Sequence, residues 1–143
     1  MAQKLSKRLS EIADALPLRS GLQLVEIGCG SGALLRAIAA RVDEAKLLGI
    51  DRSKAAVDAA MELSAAEIET GCIEYIQSAI ETFTVPATLQ RRFDIALAVR
   101  VGALDGRHPK LEKAALSAIR QLLKKNGKLL IDGGDPLREI HLR

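Results

Sequence analysis

Apolar residues along this chain follow two periods. Leu22, Leu24, Val25 and Ile27 make a short, nearly continuous run, the pattern of a strand buried on both faces. Similar runs return at Lys46–Ile50, Ile73–Gln77, Phe93–Val99 and from Lys128 to Ile131. Between them the apolar positions recur at helical spacing. Leu5, Leu9, Ile12 and Leu16 predict an amphipathic helix ended near Pro17, within an N-terminal segment covering residues 1–19. A helix over Ala33–Val42 follows the first strand. Ser53 suits the N-cap of a helix over Lys54–Glu69, with Ala56, Val57, Ala60, Met61 and Ile68 towards one side and Gly71 at its stop. The stretch Glu81–Arg92 contains Pro86 and reads as a short or broken helix. A last helix over Leu111–Lys125 carries Leu111, Ala115, Ile119, Leu122 and Leu123 as its apolar stripe, with Asn126–Gly127 as its end. Strands alternating with helices predict an α/β domain with a parallel sheet and right-handed crossovers. At 143 residues the chain fits a single domain.

The first strand runs straight into glycines. From Gly21 the sequence is GLQLVEIGCGSGALL, with Gly28, Gly30 and Gly32 separated by single small residues, and a helical pattern starts at Ala33. Such a turn brings backbone N–H groups and a positive helix end near a ligand, and the missing Cβ atoms let that ligand approach. The spacing G-x-G-x-G departs from the dinucleotide G-x-G-x-x-G. Asp51, at the end of the second strand, can accept ribose hydroxyl hydrogen bonds. In a parallel sheet ligands bind beyond the carboxyl ends of the strands, where Glu26, Asp51, Ser78, Arg100 and Asp132 stand.

The run E-I-G-C-G-S-G, Glu26 to Gly32, closely resembles the first motif of class I S-adenosylmethionine-dependent methyltransferases, and the resemblance spans roughly Leu22 to Asp132. It implies a three-layer Rossmann-like methyltransferase fold, mostly parallel, with strand order 3-2-1-4-5 and a C-terminal hairpin shortened or absent. The cofactor-binding core is then residues 22–132. The backbone around Gly28, Cys29, Gly30 and Gly32 would contact the methionine part of S-adenosylmethionine, and Glu26 would face its ammonium. Asp51 would hold the ribose hydroxyls and Arg52 would flank the adenine, with Ser78, Ala79 and Arg100 completing the cofactor set. Two departures stand out. The family often has an acid after its third strand, where Gln77–Glu81 here reads QSAIE with Ala79 at that position. Ser78, backbone groups or Glu81 would have to substitute. Beyond the fifth strand only Gly133–Arg143 remains, so Ile140–Leu142 is expected as a stub, and the uncovered edge favours a homodimer.

Composition adds boundaries. The chain is 48% hydrophobic and 27% charged, as in globular domains, and no stretch approaches the roughly 20 apolar residues of a membrane span. The N-terminus spreads its charges and does not read as a secretory signal, so a cytoplasmic location is the expectation. A net charge of +3 is carried by small clusters such as Lys4, Lys7 and Arg8, Arg91 and Arg92, and Lys124 and Lys125. With one Tyr, two Phe and no Trp, base stacking lacks a platform and nucleic acid is unsupported as a partner. Cys29 and Cys72 lack metal or redox spacing, and no metal site is expected. Cys29 reads as a small residue tolerated in the loop, with a reactive thiol as the alternative.

The resemblance implies transfer of a sulfonium methyl group to an acceptor, a small molecule in this reading, by in-line attack. The alternatives are a non-catalytic subunit that binds S-adenosylmethionine or S-adenosylhomocysteine, and, further off, a nicotinamide-nucleotide module. The loop RVGALDGRHPK after the fourth strand offers Arg100, Asp105, Arg107 and His108 on the acceptor side. His108 is either a general base or a solvent-facing cap before Pro109. Arg100 either binds an anionic acceptor or pairs with Asp132 or Asp135. The N-terminal helix either packs on the sheet or covers the cofactor.

Overall fold

The computed structural model describes residues 5–142; Lys4 and the rest of residues 1–4, and Arg143, lie outside the described residues. The sheet has the order β3-β2-β1-β4-β5-β6. Its strands are β1 (Gln23–Ile27), β2 (Lys46–Asp51), β3 (Ile73–Gln77), β4 (Phe93–Ala98), β5 (Leu123–Asp132) and β6 (Leu137–Ile140). β1 to β5 run parallel, and β6 returns antiparallel along β5, with Asp132 opposite Leu137 and Leu129 opposite Ile140. The strand order from β3 to β5 is the expected one. The C-terminal stub forms at Leu137–Ile140, earlier than Ile140–Leu142, because a turn through Gly133 and Gly134 folds the chain straight back along β5.

Strand alternation builds a core on each face of the sheet. Val25, Ile27, Leu48, Ile50 and Ala96 pack with Ala115, Ile119 and Leu122 of α5 (Glu112–Leu122). Leu24, Leu47, Ile73 and Leu97 pack on the opposite face with Ile12 of α1 (Lys7–Ala15) and with Leu34, Leu35 and Ile38 of α2 (Ala33–Arg41). Asp94 ties the amino ends of the central strands together. Its Oδ2 accepts the Gln23 N–H at 2.9 Å, and its Oδ1 meets Lys124 at 2.9 Å and Arg19 at 3.1 Å. The N-terminal helix is shorter than its segment, starting after Ser6, whose hydroxyl accepts the Leu9 N–H.

Three expectations change. The helix expected over Lys54–Glu69 is two, α3 (Lys54–Leu63) and α4 (Ala65–Glu69), parted at Ser64. Ser64 is fully buried; its hydroxyl accepts from Arg36 Nη1 at 3.0 Å and pairs with the Tyr75 hydroxyl at 2.8 Å. That polar demand bends the chain inwards and turns Met61 outwards, 46% exposed, against its expected apolar side. Ser53 does cap α3, accepting the Ala56 N–H at 3.1 Å. The helix expected to reach Lys125 stops at Leu122, because Leu123 joins β5 opposite Phe93. The register then shifts before Lys128 meets Ile95, and Gly127 fits this irregularity: a Cβ there would lie 2.9 Å from the Phe93 carbonyl oxygen. The Pro86 region forms two short 3-10 turns, Ile80–Thr82 and Ala87–Leu89.

Behind the glycine loop Tyr75 lies flat over Gly49 of β2. A Cβ on Gly49 would meet the Tyr75 ring at 2.6 Å and Cys29 Sγ at 2.8 Å. Gly49→Ala is therefore expected to lower unfolding free energy by about 1–3 kcal/mol through overpacking. Urea unfolding at constant m-value checks this, and an unchanged midpoint would show that the Tyr75 ring gives way freely.

Candidate functional site

The loop after β1 is fastened to the end of β2. Gly28 and Cys29 donate their N–H groups to the Ile50 carbonyl at 2.7 and 3.2 Å, Gly30 donates to Asp51 Oδ2 at 2.9 Å, and Gly32 to the Cys29 carbonyl at 3.0 Å. Gly28, Gly30 and Gly32 all have positive φ, 73°, 55° and 81°, which glycine adopts without a Cβ penalty. Of the N–H groups expected to form a cradle, those of Gly28, Cys29, Gly30 and Gly32 are spent within the chain. What the loop gives is room. Nothing lies within 4 Å of a Cβ built on Gly30, so that face of the loop is open to a ligand.

Under the loop sits Glu26, 4% exposed, with Oε1 buried and unpartnered among the described residues. Burial first, and then the nearby Asp51 charge, raises its carboxyl well above the usual carboxylate range. A hollow of about 240 Å³ opens beside it, walled by Gly28, Gly30, Val99, Arg100 and, from α1, Leu9. The N-terminal helix thus packs against α2, and its Leu9 borders the hollow. Cys29 is buried, and burial, followed by the Glu26 and Asp51 charges, pushes its thiol up to about 12. The reactive-thiol alternative fails on that account.

A larger cavity of about 320 Å³ lies on the other side of Gly28 and Arg100. Asp51, Arg52, Ser78, Ala79 and Glu81 form one wall, and Arg100, Val101, Gly102, Arg107 and His108 form the facing one. Asp51 accepts from Gly30 N–H and, through Oδ1, from Ser53 N–H at 2.9 Å. A carboxylate has about four acceptor positions, so two remain for a ligand. The Ser78 hydroxyl donates to the Ala79 carbonyl at 2.9 Å, which leaves Glu81 as the carboxylate on this wall beyond Asp51.

Across the cavity Arg100 has a left-handed backbone, φ 60°. Its N–H donates to Asp132 Oδ1 at 3.1 Å, and its carbonyl accepts from Arg107 Nη2 at 2.7 Å. Asp132 Oδ2 takes Arg8 of α1, so the expected side-chain pairing of Arg100 with Asp132 or Asp135 is absent: Asp132 is satisfied by Arg8 and by the Arg100 main chain. Asp105 holds Arg107 through both carboxylate oxygens at 3.0 and 2.8 Å. The His108 side chain makes no capping bond; its ring lies against Gly102, where a Cβ would meet Cδ2 at 2.5 Å, and it joins the cavity wall. His108 is nonetheless exposed and stands at the N-cap position before Pro109, so the solvent-facing reading holds except for a side-chain capping bond.

The strand-end residues named from sequence thus gather at one end of the sheet, with Asp132 serving as an anchor for Arg100. Sequence reading missed Leu9 as a wall of the smaller hollow and Gly49 as the space that seats Cys29 and Tyr75. A glycine inside a strand run is the signal that pointed to the second. Among the described residues no group of His, Cys, Asp and Glu could hold a metal ion, and no helix is long and apolar enough to cross a membrane.

A family model described as "Methyltransferase domain" matches residues 24–127. Among solved structures, the YcgJ protein from Bacillus subtilis superposes with a TM-score of 0.63 at 23% identity, covering 87% of this chain and 49% of its own. A Haemonchus contortus phosphoethanolamine N-methyltransferase 2 in complex with S-adenosyl-L-methionine gives 0.70 at 22% identity, covering 87% of this chain and 27% of its own. A SAM-dependent methyltransferase from Thiobacillus denitrificans in complex with S-adenosyl-L-homocysteine gives 0.66 at 19%, covering 92% and 50%. The chain therefore spans half or less of these three proteins. No curated protein matches the sequence.

The raised carboxyl of Glu26 has a thermodynamic consequence. Above the ordinary Glu value of about 4.3 the unfolded chain loses a proton that the folded chain keeps, so this group's contribution to stability falls as pH rises towards the folded value. Glu26→Gln removes that dependence. Its gain in Tm over the parent is expected to be larger at about pH 7.5 than at about pH 4.5. Equal gains at both pH values would mean that Glu26 is ionised in the free protein. Thiol labelling near pH 8 is expected to modify the partly exposed Cys72 and spare Cys29 until the chain unfolds.

Proposed function

The chain belongs to the methyltransferase-domain family, and from that membership we propose that it binds S-adenosylmethionine and transfers its methyl group to a small-molecule acceptor. The observation that carries the reading is Glu26 Oε1, a buried acceptor atom without a partner among the described residues, beside a glycine loop that offers space and carboxylates. A cation is what such a site lacks. A pyrophosphate would instead seek the loop N–H groups, and those of Gly28, Cys29 and Gly30 are turned to Ile50 and Asp51. That charge preference favours a ligand with an ammonium and a sulfonium over a nicotinamide dinucleotide.

The residues fit the cofactor group by group. Glu26 would take the ammonium, whose charge favours the ionised carboxylate that burial alone disfavours. Gly28, Cys29, Gly30 and Gly32 would line the methionine part. Asp51 would accept the ribose hydroxyls with the positions that Gly30 and Ser53 leave open. Arg52, Ser78, Ala79 and Ile80 would border the adenine, with Glu81 standing in for the acid that Ala79 replaces.

When bound, the cofactor supplies a methyl group already activated by its sulfonium. The remaining task of the chain is to hold an acceptor in line, and correct placement of two reactants supplies much of the acceleration. The wall from Arg100 to His108 faces the cofactor wall and would seat that acceptor. The His108 imidazole is the group there able to accept a proton if the acceptor sheds one.

Calorimetric titration with S-adenosylmethionine, S-adenosylhomocysteine and NAD tests this reading. Binding of the first two in the micromolar range without NAD is expected; binding of NAD alone would overturn it. Asp51→Ala is expected to weaken S-adenosylhomocysteine binding about 10- to 100-fold, the loss of hydrogen bonds to a charged group worth roughly 1.5–3 kcal/mol. Gly30→Val is expected to abolish binding and, because a side chain at φ 55° is strained, to lower the Tm as well, which thermal unfolding reads in parallel. Tight binding with no transfer across an acceptor screen would indicate a binding subunit in place of an enzyme.

A further inference from the structure

We propose that the acceptor is a small carboxylate with an apolar body, and that the Arg100 guanidinium receives its carboxylate. This rests on the cofactor reading above and adds the substrate class. Arg100 and Gly28 are the residues common to the hollow beside Glu26 and the larger cavity, so Arg100 stands where a cofactor's reactive end and an acceptor would meet.

Two of the neighbouring carboxylates are already matched. Asp132 is matched by Arg8, and Asp105 by Arg107. The two pairs also hold the Arg100 main chain: Asp132 accepts its N–H, and Arg107 donates to its carbonyl. Both backbone polar groups of a left-handed arginine are thus fixed by charged side chains, while its guanidinium has no ion pair or hydrogen bond among the described residues. A left-handed backbone at a residue other than glycine persists only where its surroundings hold it. Here they leave an exposed guanidinium without an ion pair at the junction of the two hollows.

The rest of that wall sets the ligand class. One unpaired guanidinium matches one planar monoanion through a two-pronged contact. A phosphate dianion would call for further free cations or backbone N–H groups beside Arg100. Arg107 there is committed to Asp105, and Arg52, the other guanidinium of the cavity without an ion pair among the described residues, lies on the wall with Asp51. Val101, Ala103 and Leu111 supply apolar wall for the body of the ligand, and His108 lies beside them.

The test uses the full chain saturated with S-adenosylhomocysteine, with benzoate, its neutral counterpart benzamide and inorganic phosphate as probes, followed by NMR line shifts. Arg100→Asn removes the charge with a residue that tolerates a left-handed backbone, and Arg100→Lys keeps the charge. Benzoate is expected to bind at least tenfold more tightly than benzamide. Arg100→Asn should remove that preference and Arg100→Lys should retain part of it, each measured at an S-adenosylhomocysteine concentration that saturates that variant by calorimetry. Equal binding of benzoate and benzamide, or a preference that survives in Arg100→Asn, overturns the proposal. So does phosphate binding without benzoate. A tenfold loss of S-adenosylhomocysteine in Arg100→Asn would assign the guanidinium to the cofactor carboxylate and overturn it too. Failure of the parent chain to bind S-adenosylhomocysteine would instead remove the cofactor reading, and this inference with it.

Discussion

The tie between the glycine loop and the end of β2 is the constraint on which the site depends. The Ile50 carbonyl takes the N–H groups of Gly28 and Cys29, and Asp51 Oδ2 takes that of Gly30. These bonds continue the β1–β2 ladder past the end of β1, so the loop behaves as an extension of the sheet rather than as a free turn. They also turn Cys29 inwards, onto the space that Gly49 leaves, and keep the face of Gly30 open. Positive φ at Gly28, Gly30 and Gly32 is what the path requires, and side chains there would strain it.

Spending the loop's N–H groups internally decides the electrostatics of the site. A glycine loop that opens a helix ordinarily reads as an anion site. Here the loop is bordered by the acids Glu26 and Asp51, one of them buried without a partner. The resulting preference is for positive charge beside Glu26. Positive charge gathers on the opposite wall, where Arg100 is held from two sides by Asp132 and Arg107. The two hollows therefore carry both signs of charge, Glu26 and Asp51 with Arg52 on one side and Arg100 on the other, with Gly28 and Arg100 at the boundary.

The elements around this centre act mainly as supports. Tyr75 and Ser64 lock the loop's back face through Arg36, whose Nη1 also donates to the Ser31 carbonyl at 2.6 Å. Asp94 fixes the amino ends of β1 and β4 and reaches Lys124 at the start of β5. α1 joins the site from outside the sheet through Leu9, and through the ion pair of Arg8 with Asp132.

The sequence by itself determined the sheet, the glycine loop and the strand-end acids. Buried parallel strands read as apolar runs, and a glycine-rich turn into a helix is local chemistry, so Gly28 to Gly32, Glu26 and Asp51 were legible without a fold. The split at Ser64, the early end of α5 and the outward turn of Met61 were not. Each follows from a partner distant in sequence: Tyr75 and Arg36 for Ser64, and Phe93 for Leu123. The side chain of Arg100 was left between two readings because its partner depends on where Arg8 lands, more than ninety positions earlier in the chain. Local pattern fixes which residues reach the end of the sheet. Which of their charges are matched, and which are left for a ligand, is decided only when distant segments compete for the same carboxylates.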